Sequence, residues 1–285
     1  MVYSNTVLLY PLRMMNRIFQ LLLALCVSAS AFAEASLPIP PQNVSGVLVQ
    51  QGLLDEKAVN GAKQVGKTAI YYNRISGGVP FLGLFLGPIG ALINSTVVEE
   101  RKNKDAQSAA LAQSTELYAL VAEAFKKSSN APQSALPQLQ IEPFLLIQPN
   151  RDDQLLTALV FYAVQKDGDK VLWSEKYYYH FKDKMPASVL SGNDNDPLQQ
   201  MLSANISVAV EALAEFVAGD VAGNTPNGKE FFATSPRFGT LPIPFKGMAV
   251  KTDDELWSVR IAANNINGLY ARGMHILPKD ELKFQ

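Results

Sequence analysis

The sequence predicts an α+β protein, in which an antiparallel sheet packs against two amphipathic helices and a β-rich extension follows. Three observations predict it. Residues 139–181 hold three consecutive strand-like runs separated by turn residues, a meander. Apolar residues recur at helical spacing over about 96–127 and again over 197–218. Beyond residue 223 prolines and glycines interrupt the periodicity, and short β-like runs return near the end. The expected organisation is a leader at 1–33, a main domain at 34–223 that includes an apolar glycine-rich segment at 75–98, and a Pro/Gly-rich arm with a β extension at 224–285.

The leader reads as an export signal. Arg13 and Arg17 make a basic start, Ile18 to Val27 is a short apolar core, and Ala31-Phe32-Ala33 is a small-x-small cleavage site. The core is too short for a permanent span, which needs about 20 apolar residues. Met1, Met14 and Met15 are all possible starts for it. Removing 1–33 takes away two arginines and no acid, so the net charge moves from −1 to −3 over the remaining 252 residues. That balance argues against a general nucleic-acid role. Cys26 is the only cysteine and lies in the leader. A cysteine-free mature chain has no disulfide, thiolate metal site or cysteine nucleophile, and it favours a bacterial periplasm over a eukaryotic secretory route. Lipid attachment at Cys26 is disfavoured because Leu25 stands where a small residue belongs. The acceptor sequons at Asn43, Asn94 and Asn205 matter only in a glycosylating host. Lys279-Asp280-Glu281-Leu282 resembles a retention tag but is followed by three residues, where such a tag must be last.

After an extended lead-in at 34–45, Val44 to Gln50 and Thr68 to Tyr72 are candidate strands. In the first helix Ala110, Ser114, Leu117, Val121 and Ala124 fall on one face, while Glu99, Arg101, Lys102, Lys104 and Asp105 solvate the start. Ser128 to Pro132 ends it. Leu139 to Gln148, Leu155 to Val164 and Val171 to Phe181 are the three strands; residues 149–153 and Asp167-Gly168 are their turns, the glycine supplying a positive φ. Asp196-Pro197 opens the second helix with an N-cap acid and a proline at the first helical position. Leu198, Met201, Leu202, Ile206, Ala209, Leu213 and Phe216 mark its apolar face, and Gly219 and Gly223 end it. Residues 224–247 read as a linker or long extended arm. Lys246 to Val250 and Leu256 to Ala262 form a hairpin about a turn at Thr252–Asp254, and Leu269 to Leu277 adds a strand.

Residues 61–68, with Gly61, Gly66, Lys67 and Thr68 at the defining positions, match the phosphate-loop pattern. That pattern needs a buried strand before it and a helix after it. Here a charged, helix-like stretch (Leu53 to Asn60) precedes it and a strand-like one (Ala69 to Tyr72) follows, and a periplasm holds no ATP pool. A Gly- and Lys-containing turn entering a strand accounts for the match.

The segment from Gly77 to Ile93 is long enough to raise the question of a membrane span, and Gly83 and Gly87 form a GxxxG pair. Pro88 and five glycines weaken it as a helix, each glycine by roughly 1 kcal/mol relative to alanine. Three readings stay open: a span, a buried loop or helical hairpin, and a surface docking on a membrane or an envelope protein. Phe81, Leu82, Leu84, Phe85, Leu86 and Ile89 are the contact residues of the last reading.

No catalytic constellation emerges. His180 and His275 lie far apart in sequence without ligand spacing, and default to surface or strand-edge positions. Asp194 and Asp196, alternating with Asn193 and Asn195, resemble half a calcium loop without its glycine and distal glutamate. Asp152-Asp153 and Asp253-Asp254 lie in turns, and Tyr177-Tyr178-Tyr179 alternates across a sheet. No cofactor and no metal are expected, and the oligomeric state is open. The expected function is that of an exported periplasmic or cell-envelope protein that binds a protein, membrane or envelope component. The alternatives are a periplasmic hydrolase-type enzyme with an unrecognised site and a nucleotide binder acting through 61–68.

Overall fold

The computed structural model describes residues 46–55, 59, 62–65, 69–73, 117–127, 138–150, 154–186, 196–224, 228–238, 244–261 and 272–285. All of these lie within one unit, Pro38–Gln285. The fold is mixed α+β, with one large sheet and two helices among the described residues.

The sheet is built on β4 (Gln138–Pro149) and β5 (Gln154–Asp167), which pair antiparallel over ten residues from Gln140↔Val164 to Pro149↔Leu155. Both strands are buried on both faces, so they read as near-continuous apolar runs rather than alternating ones. β6 (Lys170–His180) pairs antiparallel with β5, and Gly168 takes φ 57° in the tight turn between them.

The other edge of β4 carries two strands, both parallel to it. β1 (Gly46–Val49) pairs with Gln138 to Ile141, and β3 (Ile70–Tyr72) with Leu145 to Ile147. β2 (Lys63–Gln64) adds antiparallel to β3. Pro143 sits inside β4, where a missing N–H ordinarily breaks a ladder. The odd-numbered residues of β4 bond toward the β1/β3 edge: Ile141 accepts from Gln50, Leu145 donates to Ala69, and Ile147 accepts from Asn73. Pro143 therefore faces the gap between β1 and β3, where no donor is needed.

The remaining strands lengthen the sheet beyond β6. β7 (Met185–Pro186) pairs with the start of β5. β8 (Lys229–Thr234), β9 (Phe245–Thr252), β10 (Leu256–Ile261) and β11 (Gly273–Pro278) follow, and β12 (Lys283–Phe284) closes the far edge on β8. The order is β12-β8-β9-β10-β11-β6-β5-β4-β3-β2. β11 joins β6 in parallel through Met274↔Tyr177, His275↔Tyr178 and Ile276↔Tyr179. The sheet is thus mixed, not the antiparallel sheet expected. The parallel pairs arise between strands distant in the chain, which turn residues do not report. The stretch expected as a linker contains β8 and a 3-10 turn at Pro236–Phe238, because Phe231 and Ala233 have a core to pack into.

Helix α1 (Leu117–Lys127) buries Leu117, Val121 and Phe125; the expected start of this helix, 96–116, lies outside the described residues. Helix α2 (Asp196–Val221) buries Leu198, Met201, Leu202, Ile206, Ala209, Leu213 and Phe216, and also Val210, Ala214 and Val217. Both pack on the sheet face made by Ile141, Leu145, Leu159, Phe161 and Tyr177. α2 is apolar and long enough to cross a membrane by composition, but half of that window is buried inside the fold, as in a core helix. Gly219 lies within α2 rather than ending it. Gly223, at φ 66°, is the stop: the Asn224 N–H reaches back to the Gly219 carbonyl at 2.9 Å, closing a Schellman-type turn.

The opposite face has two clusters. Phe144, Leu146, Ala158, Val160 and Tyr178 are covered by Val59 and Ala62. Ala233, Phe238, Phe245, Val259, Ile261, Leu277 and Leu282 form the second under β8–β12.

Gly273 opens β11 at φ 147°, and a Cβ there would lie 2.3 Å from the Lys176 carbonyl oxygen. Only glycine lets β11 approach β6 this closely. Gly273→Ala is expected to destabilise the fold by about 1–3 kcal/mol in urea unfolding; an unchanged midpoint would contradict the close approach.

Candidate functional site

Two clusters of buried polar side chains lie at the junction of β6 and β11, one on each face of the sheet. On the helix face, register sets Arg260 beside Met274 and Met274 beside Tyr177. The Arg260 side chain reaches Asp220, in the last turn of α2. Its Nη2 donates to Asp220 Oδ1 at 2.6 Å and Oδ2 at 2.7 Å, and the Tyr177 hydroxyl donates to Oδ2 at 2.7 Å. Glu175, two residues before Tyr177 and on the same face, lies 3.9 Å from Arg260 Nη1. A carboxylate at a helix C-terminus opposes the helix dipole, and Arg260 offsets that here. Burial raises the Glu175 carboxyl above its ordinary range despite Arg260. Burial, then the Asp220 charge, holds the Tyr177 phenol protonated far above its usual value.

On the other face, His180 Nε2 and His275 Nδ1 lie 3.0 Å apart. One ring donates and the other accepts, so the two nitrogens share a single proton. The Tyr178 ring stacks on His275 at 4.2 Å, and Phe238 meets His275 edge-on at 5.0 Å. Beside them Arg237 is only 1% exposed. Its Nε and Nη2 donate to the Glu281 carboxylate, and Nη2 also donates to the Phe181 carbonyl at 2.7 Å. Burial, then His275 and Arg237, pushes His180 well below the ordinary histidine value.

A third cluster ties the N-terminal segment to β4. Glu142 accepts from the Leu53 and Leu54 backbone N–H groups and from the Tyr118 hydroxyl of α1 at 2.8 Å. One carboxylate thus links a loop, a strand and a helix. Burial, then Glu142, raises the Tyr118 phenol. Lys176, half-buried on β6, is lowered to about 8 by burial, with Arg272 adding to the shift and Glu175 and Asp55 opposing it.

Sequence reading sets His180 and His275 at surface or strand-edge positions; both are buried and bonded to each other, because the parallel β6–β11 pairing brings them together across 95 residues. Asp253 does sit in a turn, its Oδ1 accepting from Glu255 at 2.9 Å and Leu256 at 2.7 Å. Gly61, Gly66, Lys67 and Thr68 lie outside the described residues, although the centre of that match, Lys63–Gln64, is a strand paired with Tyr71–Tyr72. Phe81, Leu82, Leu84, Phe85, Leu86 and Ile89 lie outside the described residues, as do Asp152, Asp153, Asn193, Asp194 and Asn195. Sequence reasoning missed Glu142, Asp220, Arg237 and Arg260. For Glu142, Asp220 and Arg260 the signal was a single charge inside an apolar run, which must find a partner once buried; Arg237, in Ser-Pro-Arg-Phe-Gly, gave no such signal. Among the described residues no three His, Cys, Asp or Glu side chains are grouped to hold a metal ion.

No protein-family model, curated protein or solved structure matches this chain.

Arg260→Met leaves Asp220 buried without its counter-charge and is expected to destabilise the fold by about 3–5 kcal/mol in urea unfolding. Adding Asp220→Leu is expected to recover part of that loss; no recovery would count against a coupled pair. Lys176 is expected to be acylated ahead of the other lysines at pH 8. About half of it is then deprotonated, against under ~1% of an ordinary lysine. Mass-spectrometric mapping after limited acylation reads this, and equal labelling across all lysines would refute it.

Proposed function

We propose that this chain is an exported bacterial protein of the periplasm or cell envelope. It acts by binding a protein, membrane or envelope component rather than by catalysis. The observation that carries the reading is the leader: Arg13, Arg17, the apolar core from Ile18 and Ala31-Phe32-Ala33. The lone Cys26 within it supports a mature chain that is stable without disulfides.

The strands of 139–181, read as a meander, and the amphipathic helices over about 96–127 and 197–218 make the scaffold. The apolar segment around Phe81, Leu84 and Phe85 makes the contact. The buried charges favour binding over catalysis, because Asp220, Arg260, Arg237 and Glu281 are engaged with one another and with backbone groups in joining elements of the fold. The surface is left to carry the activity. It includes Val171 and Leu172 on β6 just past the β5–β6 turn, and Phe232 and Phe284 at the far edge.

Fractionation of an epitope-tagged chain, with salt and carbonate washes, is expected to find it in the periplasmic or peripheral membrane fraction; cytoplasmic recovery overturns the reading. Phe81, Leu84 and Phe85 changed together to Ser are expected to abolish membrane or partner association while the fold survives. Retained association removes that segment from the contact. Nucleotide binding lost in Lys67→Ala would favour the phosphate-loop alternative instead.

A further inference from the structure

We draw no further inference here: the strongest candidate, the part-exposed aromatic patch at the far end of the sheet where Phe284 of β12 meets Trp257 of β10 and Phe231 of β8, is an apolar face, and nothing in the structure shows what covers it.

Discussion

The joining of β6 to β11 is the constraint on which the rest of this sheet depends. Without it, β1–β7 with their helices and β8–β12 are two smaller sheets, each with an open edge. The backbone contribution there is short. Gly273 permits the approach, and buried polar groups hold it from both faces: Asp220, Arg260 and Tyr177 beneath α2, and His180, His275, Arg237 and Glu281 above.

These groups are better understood as specificity than as raw stability. A buried ion pair gains little over apolar side chains of the same volume, but breaking it is expensive because one charge is stranded. Arg260 donates to Asp220 in the last turn of α2, which fixes where that end of the helix meets β6 and β10. Arg237 likewise donates to the Phe181 carbonyl and to Glu281, so the C-terminal turn is placed against the end of β6. Misaligned strand pairing would leave each of these charges buried and unpaired.

The aromatic side chains continue the same logic on the face away from the helices. Trp257, Phe284, Phe231, Phe245, Phe238, His275 and Tyr178 follow one another at ring separations from 4.2 to 5.9 Å. The line runs from the half-exposed edge at Phe284 to the buried histidine pair.

Much of this protein was legible one element at a time. The strands β4, β5 and β6, the turn at Gly168 and the presence of helix α2 announce themselves through spacing within a few residues, because period and turn chemistry are local properties. The lone charges Glu142, Asp220 and Arg260 in apolar surroundings announced a need for partners, but not the partners. Those were decided only by tertiary structure. β8 forms because the core beneath β9 and β10 accepts Phe231 and Ala233; β1, β3 and β11 become parallel strands because distant segments meet; and His180 finds His275 across 95 residues. Local sequence encodes which face of an element is apolar. Which distant element covers that face is settled by the burial of the whole chain at once.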